Sequence, residues 1–357
     1  MFEKDITYYK PNLDEVINRY KALYEATSPG HAIVYTIVPA PQPETVPPLN
    51  QVDFDGHMED YLDLCLRNYE ASLEVSRQVP DDLIPTFGPN FGIGEYSAFI
   101  DGDVVFTEDT SWAAPIIHDW PDLDRLELRP DAYWVRMMER AMSHLRMRCS
   151  KAPIPLVRGY YSPLDMAHAL RGEALFTDFS DSPEQVHRLM DFSAKAVIWL
   201  ANRLRPIIGG YFGGSVAGAW LRPGTICMSE DIACLVSPRT YAKFARPYTQ
   251  QVIDAMGCGQ IHTHSLGVRT IPEISKLNNL LGIQISEDPN TEPVFQQLDW
   301  LLPRVNGIPL TVTATSEQIK SRFTEILAQV NITFCANVES IAEGCDLVAW
   351  VRAAEAK

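Results

Sequence analysis

The chain is short of positive charge. It carries 30 Lys and Arg against 46 Asp and Glu, a formal net charge of −16. That deficit excludes the basic patches that grip nucleic acid or an anionic membrane surface, and neither is expected as a partner. No apolar stretch approaches the run of about 20 residues that crosses a bilayer as a helix. The segment Met1-Phe2-Glu3-Lys4-Asp5 has neither the basic start nor the apolar core of a signal peptide, so a cytoplasmic location is expected. The seven cysteines are odd in number and irregularly spaced, which excludes a disulfide framework. Most of them read as small buried hydrophobes. Familiar phosphate and nucleophile signatures are missing too. Gly209-Gly210-Tyr211-Phe212-Gly213-Gly214 is Gly-rich but fits neither a dinucleotide fingerprint nor a P-loop, and there is no Gly-x-Ser-x-Gly elbow. Such glycines let a bulky planar ligand approach a strand end, so Gly213 and Gly214 are candidate cofactor-binding positions.

What is present is a rhythm. Short apolar runs alternate with longer helical patterns: Ala32 to Val38, Leu83 to Phe87, Ile154 to Val157, Gly210 to Val216, Gly259 to His264, Gly282 to Ser286, Ile308 to Thr313 and Ile332 to Cys335. Alternation of strand and helix implies parallel pairing through right-handed crossovers. Eight such units predict an α/β fold, a (β/α)8 TIM-type barrel, as a single domain over residues 1–357. A helix over about Leu13 to Thr27 precedes the first strand, so residues 1–30 read as an N-terminal helical extension. Ser182-Pro183-Glu184-Gln185, Ser237-Pro238 and Thr315-Ser316-Glu317-Gln318 mark helix starts by a capping hydroxyl with Pro or a partner Gln placed behind it. The rhythm breaks over residues 88–134, which are rich in Gly and aromatics. That stretch is too long for an ordinary βα loop and is expected to cover the barrel mouth.

The chemistry concentrates at His262-Thr263-His264. On a strand, residues two apart point to one face, so the two imidazoles converge as a pair of metal ligands. Barrel active sites form at the C-terminal strand ends. That rule brings three more residues to the same mouth. Glu287 ends the sixth predicted strand, Cys335 ends the eighth, and Asp231 follows the fourth. Two imidazoles and a thiolate suit Zn2+, with His262, His264 and Cys335 as the ligands. Glu287 and Asp231 are then candidates for proton handling or substrate contact.

With Ser162-Pro163-Leu164-Asp165, Leu170-Arg171-Gly172, Asp181-Ser182-Pro183-Glu184, Leu235-Val236-Ser237-Pro238 and the His262-Thr263-His264 strand end, the chain resembles the uroporphyrinogen decarboxylase superfamily. Within it, the chain looks most like the cobalamin-linked methyltransferase branch. The resemblance implies zinc on a His-x-Cys strand end plus a late Cys, matched here by His262 and Cys335. His264 stands where the middle Cys would be. An imidazole in place of a thiolate makes the metal a stronger Lewis acid and points to an oxygen ether or alcohol rather than a thiol. A corrinoid (cobalamin) would carry the methyl group, held by a separate carrier protein. A homodimer is also expected, since an apolar dimer face is common in the superfamily. The Arg-rich N-terminal motif of true decarboxylases is missing from Tyr8-Tyr9-Lys10-Pro11-Asn12. Demethylation chemistry on a small methylated substrate is therefore expected ahead of a metal-free decarboxylase or lyase. A non-catalytic tetrapyrrole-binding barrel is the remaining alternative.

Overall fold

The computed structural model describes residues 5–149 and 154–356. The first four residues of the expected extension lie outside the described residues. The rest of the extension forms helices Ile6–Tyr9 and Leu13–Glu25. In the second helix Leu13, Val16, Ile17, Tyr20 and Leu23 are buried, the helical spacing that docks one face onto a sheet.

Seven strands build an all-parallel sheet: β1 (Ala32–Ile37), β2 (Tyr160–Tyr161), β3 (Thr225–Ser229), β4 (Cys258–His264), β5 (Leu280–Ser286), β6 (Leu310–Thr313) and β7 (Ile332–Asn337). Their order is β1-β7-β6-β5-β4-β3-β2, and every pairing is parallel. Helices connect the strands, so all C-terminal ends share one edge. The expected strands at both ends of the chain are present. Three in the middle differ. Leu83–Phe87 and Ile154–Val157 contribute one parallel bridge, Phe87 to Leu156. Gly210–Val216 is not in this sheet. Gly209, Phe212 and Gly213 all have positive φ, which breaks an extended run. The segment turns instead into a short antiparallel hairpin, Ser215–Val216 with Trp220–Leu221, and Thr225–Ser229 takes the expected strand's place.

Beyond β1 the chain supplies carboxylates in place of a full strand ladder. Asp82 N–H donates to Val34 O at 2.8 Å. Its side chain accepts from Val34 N at 2.9 Å, and Asp81 accepts from Thr36 N at 2.8 Å. Asp81 in turn holds the buried Lys10 ammonium at 2.6 Å.

All three predicted helix starts are present, but Ser182, with Pro183 behind it, makes no side-chain cap. Thr315 and Gln318 form a reciprocal capping box, and Ser237 Oγ accepts from Thr240 N. The helix opened by Ser237 runs to Met256 through a wider turn over Tyr241–Ala245. Pro247 has no N–H for the Lys243 carbonyl, so the hydrogen-bond register slips locally.

The excursion over residues 88–134 carries helix Glu95–Ala98 and a hairpin, Val104–Phe106 with Ser111–Ala113. It is tied to the sheet side by a buried ion pair, Arg158 Nη2 to Glu95 Oε2 at 2.5 Å. The guanidinium also lies over the Tyr96 ring, 3.8 Å from its centre. Burial pushes the Glu95 carboxyl up to about 7 from an ordinary 4.5, against the pull of Arg158. A carboxyl raised in the folded state binds its proton more tightly there, so its contribution is full below pH 4.5 and lost as pH rises through 7. Glu95→Gln is expected to remove about 3 kcal/mol of stability loss between those limits. Urea unfolding of both proteins at pH 5 and pH 8 checks it; equal pH slopes would refute it.

Candidate metal centre

Along β4 the residues at 259, 261 and 263 are buried and those at 258, 260, 262 and 264 are half-buried. The half-buried row looks inward from the sheet. A close-packed barrel fills that interior with bulky branched residues. Here the inward positions include Gln260, Gln284, Thr311, Thr313, Thr333 and Cys335, and they leave a cavity of about 590 Å³. His262 lines it and His264 follows on the same face.

The two rings meet edge to face, 5.0 Å between centres, with Nε2 atoms 3.3 Å apart. Asp231 Oδ1 lies 3.6 Å from His262 Nε2 and 3.5 Å from His264 Nε2. These three are a potential ligand set.

Both imidazoles are fixed from behind. His262 Nδ1 bonds Gln284 Oε1. The Gln284 amide is oriented by its other end, which donates to Ser286 Oγ at 3.0 Å. His264 Nδ1 bonds Asp288 Oδ1 at 2.8 Å. Asp288 is itself held by Leu266 N at 2.8 Å and Ser265 Oγ at 3.1 Å. An acceptor facing each Nδ1 fixes the ring with its Nε2 turned to the cavity, the arrangement of a metal-ligating imidazole. Three potential ligand atoms therefore face one point. Asp231 Oδ1 is buried and has no hydrogen-bond partner among the described residues.

The backbone of Asp231 is anchored by Asp165. The Asp165 carboxylate accepts from Ser229 Oγ at 2.5 Å, Asp231 N at 3.0 Å and Ile232 N at 2.9 Å. Glu230 accepts from Ser162, Tyr241 and Thr249 hydroxyls. Burial raises all three acids. Glu230 reaches about 7 against its three donors, and Asp165 is pushed further by Asp231 and Glu230. Asp231 is raised by burial, partly offset by the two histidines. No Lys or Arg among the described residues pairs with Asp165, Glu230, Asp231 or Asp288. Such a group of acids is relieved by a cation.

The other expected residues fall elsewhere. Cys335 lines the same cavity, between Tyr35 and Thr313 in register, but is not one of the three clustered ligands. Burial, with the Asp81 charge, pushes its thiol up. Glu287 is exposed, and both its oxygens accept from Val294 N. The neighbouring Asp288 turns to the histidines instead. Gly213 and Gly214 sit at the hairpin, outside the lining of this cavity. A Cβ on Gly214 would come 2.3 Å from the Leu221 carbonyl oxygen, so close backbone packing accounts for that glycine. Gln284 and Asp288 escaped the sequence reading. A polar residue on β5 directly across from His262 is visible only once the register of β4 and β5 is known.

No protein-family model and no curated protein sequence matches the chain. The likeness to the uroporphyrinogen decarboxylase superfamily rests on the motifs quoted above.

Proposed function

We propose that the chain is a zinc-dependent methyltransferase on a (β/α)8-type barrel, with the segment around Asp81–Phe87 standing between β1 and β2. One observation carries the metal. His262 Nε2, His264 Nε2 and Asp231 Oδ1 converge on one point, spaced 3.3–3.6 Å apart. Tetrahedral Zn2+ with bonds of about 2.0–2.1 Å has ligand–ligand edges of about 3.4 Å. The donor set fits the ion, and three ligands leave one position for substrate.

Bound zinc would supply Lewis acidity at a heteroatom of the methyl donor or acceptor. The chain's residues do the rest. Gln284 and Asp288 keep the imidazole lone pairs aimed inward. Asp165 holds the Asp231 backbone. Cys335, the thiol that the resemblance assigns to the metal, opens onto the same cavity. The volume suits a small substrate. Among the described residues its lining contains no Lys or Arg, whereas a multiply carboxylated porphyrinogen calls for guanidinium clamps. This supports methyl transfer over the decarboxylase reading. The corrinoid acceptor would come on a carrier protein to the mouth.

Zinc-loaded protein mixed with free cob(I)alamin and a panel of methyl ethers, thioethers and methylamines tests the reading. One donor class is expected to change the cobalamin absorbance with turnover. His262→Ala should cost more than the roughly 10–100-fold that loss of an orienting partner costs. No transfer from any donor by zinc-loaded protein would overturn the methyltransferase reading.

A further inference from the structure

The cavity floor holds an amide that the metal centre does not use. Gln260 lies on the same face of β4 as His262, two residues deeper, about 7 Å along the strand. Gln284, the neighbouring amide, is fully engaged by His262 and Ser286. Gln260 is not. Its Oε1 is buried and has no hydrogen-bond partner among the described residues. In register it faces Gly282 across β5 and Cys227 across β3. A Cβ at position 282 would lie 3.2 Å from Oε1 and 3.4 Å from Nε2, so the amide rests over the one neighbour that lacks a side chain.

The surrounding wall is uncharged. Tyr20, Tyr24, Tyr35, Tyr96, Tyr160 and Tyr161 line it. Burial drives every one of these phenols above its ordinary value, so none supplies a phenolate. Tyr20 spends its hydroxyl on Tyr35 and the Asp82 carbonyl, and Tyr161 spends its own on Ile93 O. Among the described residues Asp231 is the only carboxylate in the lining, and it faces the histidines.

We propose that Gln260 determines specificity here, and that the ligand is an uncharged, ring-sized molecule with a hydroxyl or amide N–H that reaches Gln260 Oε1 when its other end is held at His262. The inference rests on the reading of this cavity as the substrate site. A polar group brought into such a place must be paired or it costs binding. A site built around an unpaired amide therefore discriminates by hydroxyl rather than by shape. The tyrosine walls add flat apolar area without adding charge.

Calorimetric binding of para-cresol, para-xylene and para-toluate to the intact protein tests it, alongside zinc content. Cresol is expected to bind about tenfold more tightly than xylene, and toluate more weakly than either. Gln260→Leu, close in volume, should cut the cresol advantage to about twofold or less while zinc and melting temperature stay unchanged. Gln260→Asn should keep part of that advantage, and is the check if the Leu variant fails to fold. An undiminished hydroxyl preference in both variants would overturn the assignment. So would tightest binding of toluate, or no binding of any probe. Absence of zinc with the hydroxyl preference intact would strike the transfer reading and leave Gln260 in its role.

Discussion

Purified protein grown with zinc is expected to carry about one ion per chain, and His262→Ala, His264→Ala and Asp231→Ala to carry close to none. Each substitution removes one of the three acceptors that converge in the structure. No nearby carboxylate among the described residues is free to replace a lost ligand. The other carboxylates around the site are already committed, Asp288 to His264 and the 265–266 turn, and Asp165 to the chain around Asp231. The comparison with Cys335→Ala is the informative one. The geometry places Asp231 in the ligand cluster and leaves Cys335 outside it, so Asp231→Ala should lose much more zinc than Cys335→Ala. The reverse order would mean that the thiol displaces the carboxylate when the metal binds. Zinc that binds only the folded chain should also raise its stability, by about 2.7 kcal/mol at a free concentration 100 times the Kd. Elemental analysis with melting curves reads both quantities. A protein with no zinc and no thermal response to added zinc would end the metal-centre reading.

Asp81→Ala is expected to be the most damaging single substitution away from the cavity's metal edge, costing about 3–5 kcal/mol. One carboxylate there does four tasks. It accepts from the Thr36 amide and hydroxyl, both at 2.8 Å, from Leu83 N at 3.2 Å, and from Lys10 Nζ at 2.6 Å. Both side chains of the ion pair are almost fully buried. Removing Asp81 leaves an ammonium in the interior with only the Asp81 carbonyl for company, and strips the acceptor from the edge of β1. Domains are stable by about 5–15 kcal/mol in total, so the loss is a large fraction. Lys10→Met should cost less, because Asp81 then keeps three donors and the methionine stem fills the same space. Urea midpoints at unchanged m values measure the difference. A loss below about 1 kcal/mol, the range of an exposed pair, would show that the Asp82 contacts alone hold this edge.

The likeness between sequence reading and structure is strongest where a residue's partner is near in sequence. The His262 and His264 pairing follows from the two-residue strand period, and the helix starts at Ser237 and Thr315 follow from capping groups three residues apart. The strands from Leu280 onward are legible because each is rich in β-branched or apolar residues between clear breaks. Gly210–Val216 misleads for a local reason of another kind. Its glycines permit an extended run equally well as the positive φ that Gly213 adopts in the turn before the hairpin, and nothing within the segment chooses between them. Thr225–Ser229 takes its place because it pairs with β4, a contact between distant segments.

The chain alone thus determined that two imidazoles share one strand face, that the surface is acidic, and that strand and helix alternate. Tertiary structure alone decided which other groups meet those imidazoles. Asp231 arrives from the turn after β3, Gln284 from across the β4–β5 register, and Asp288 from two residues past the end of β5. Cys335, expected as a ligand, and Glu287, expected at the chemistry, had the right position at strand ends but are not in the cluster. Strand register and the course of each loop are set by packing between distant segments, and a periodicity read along one segment carries no information about the angle at which another delivers its side chain.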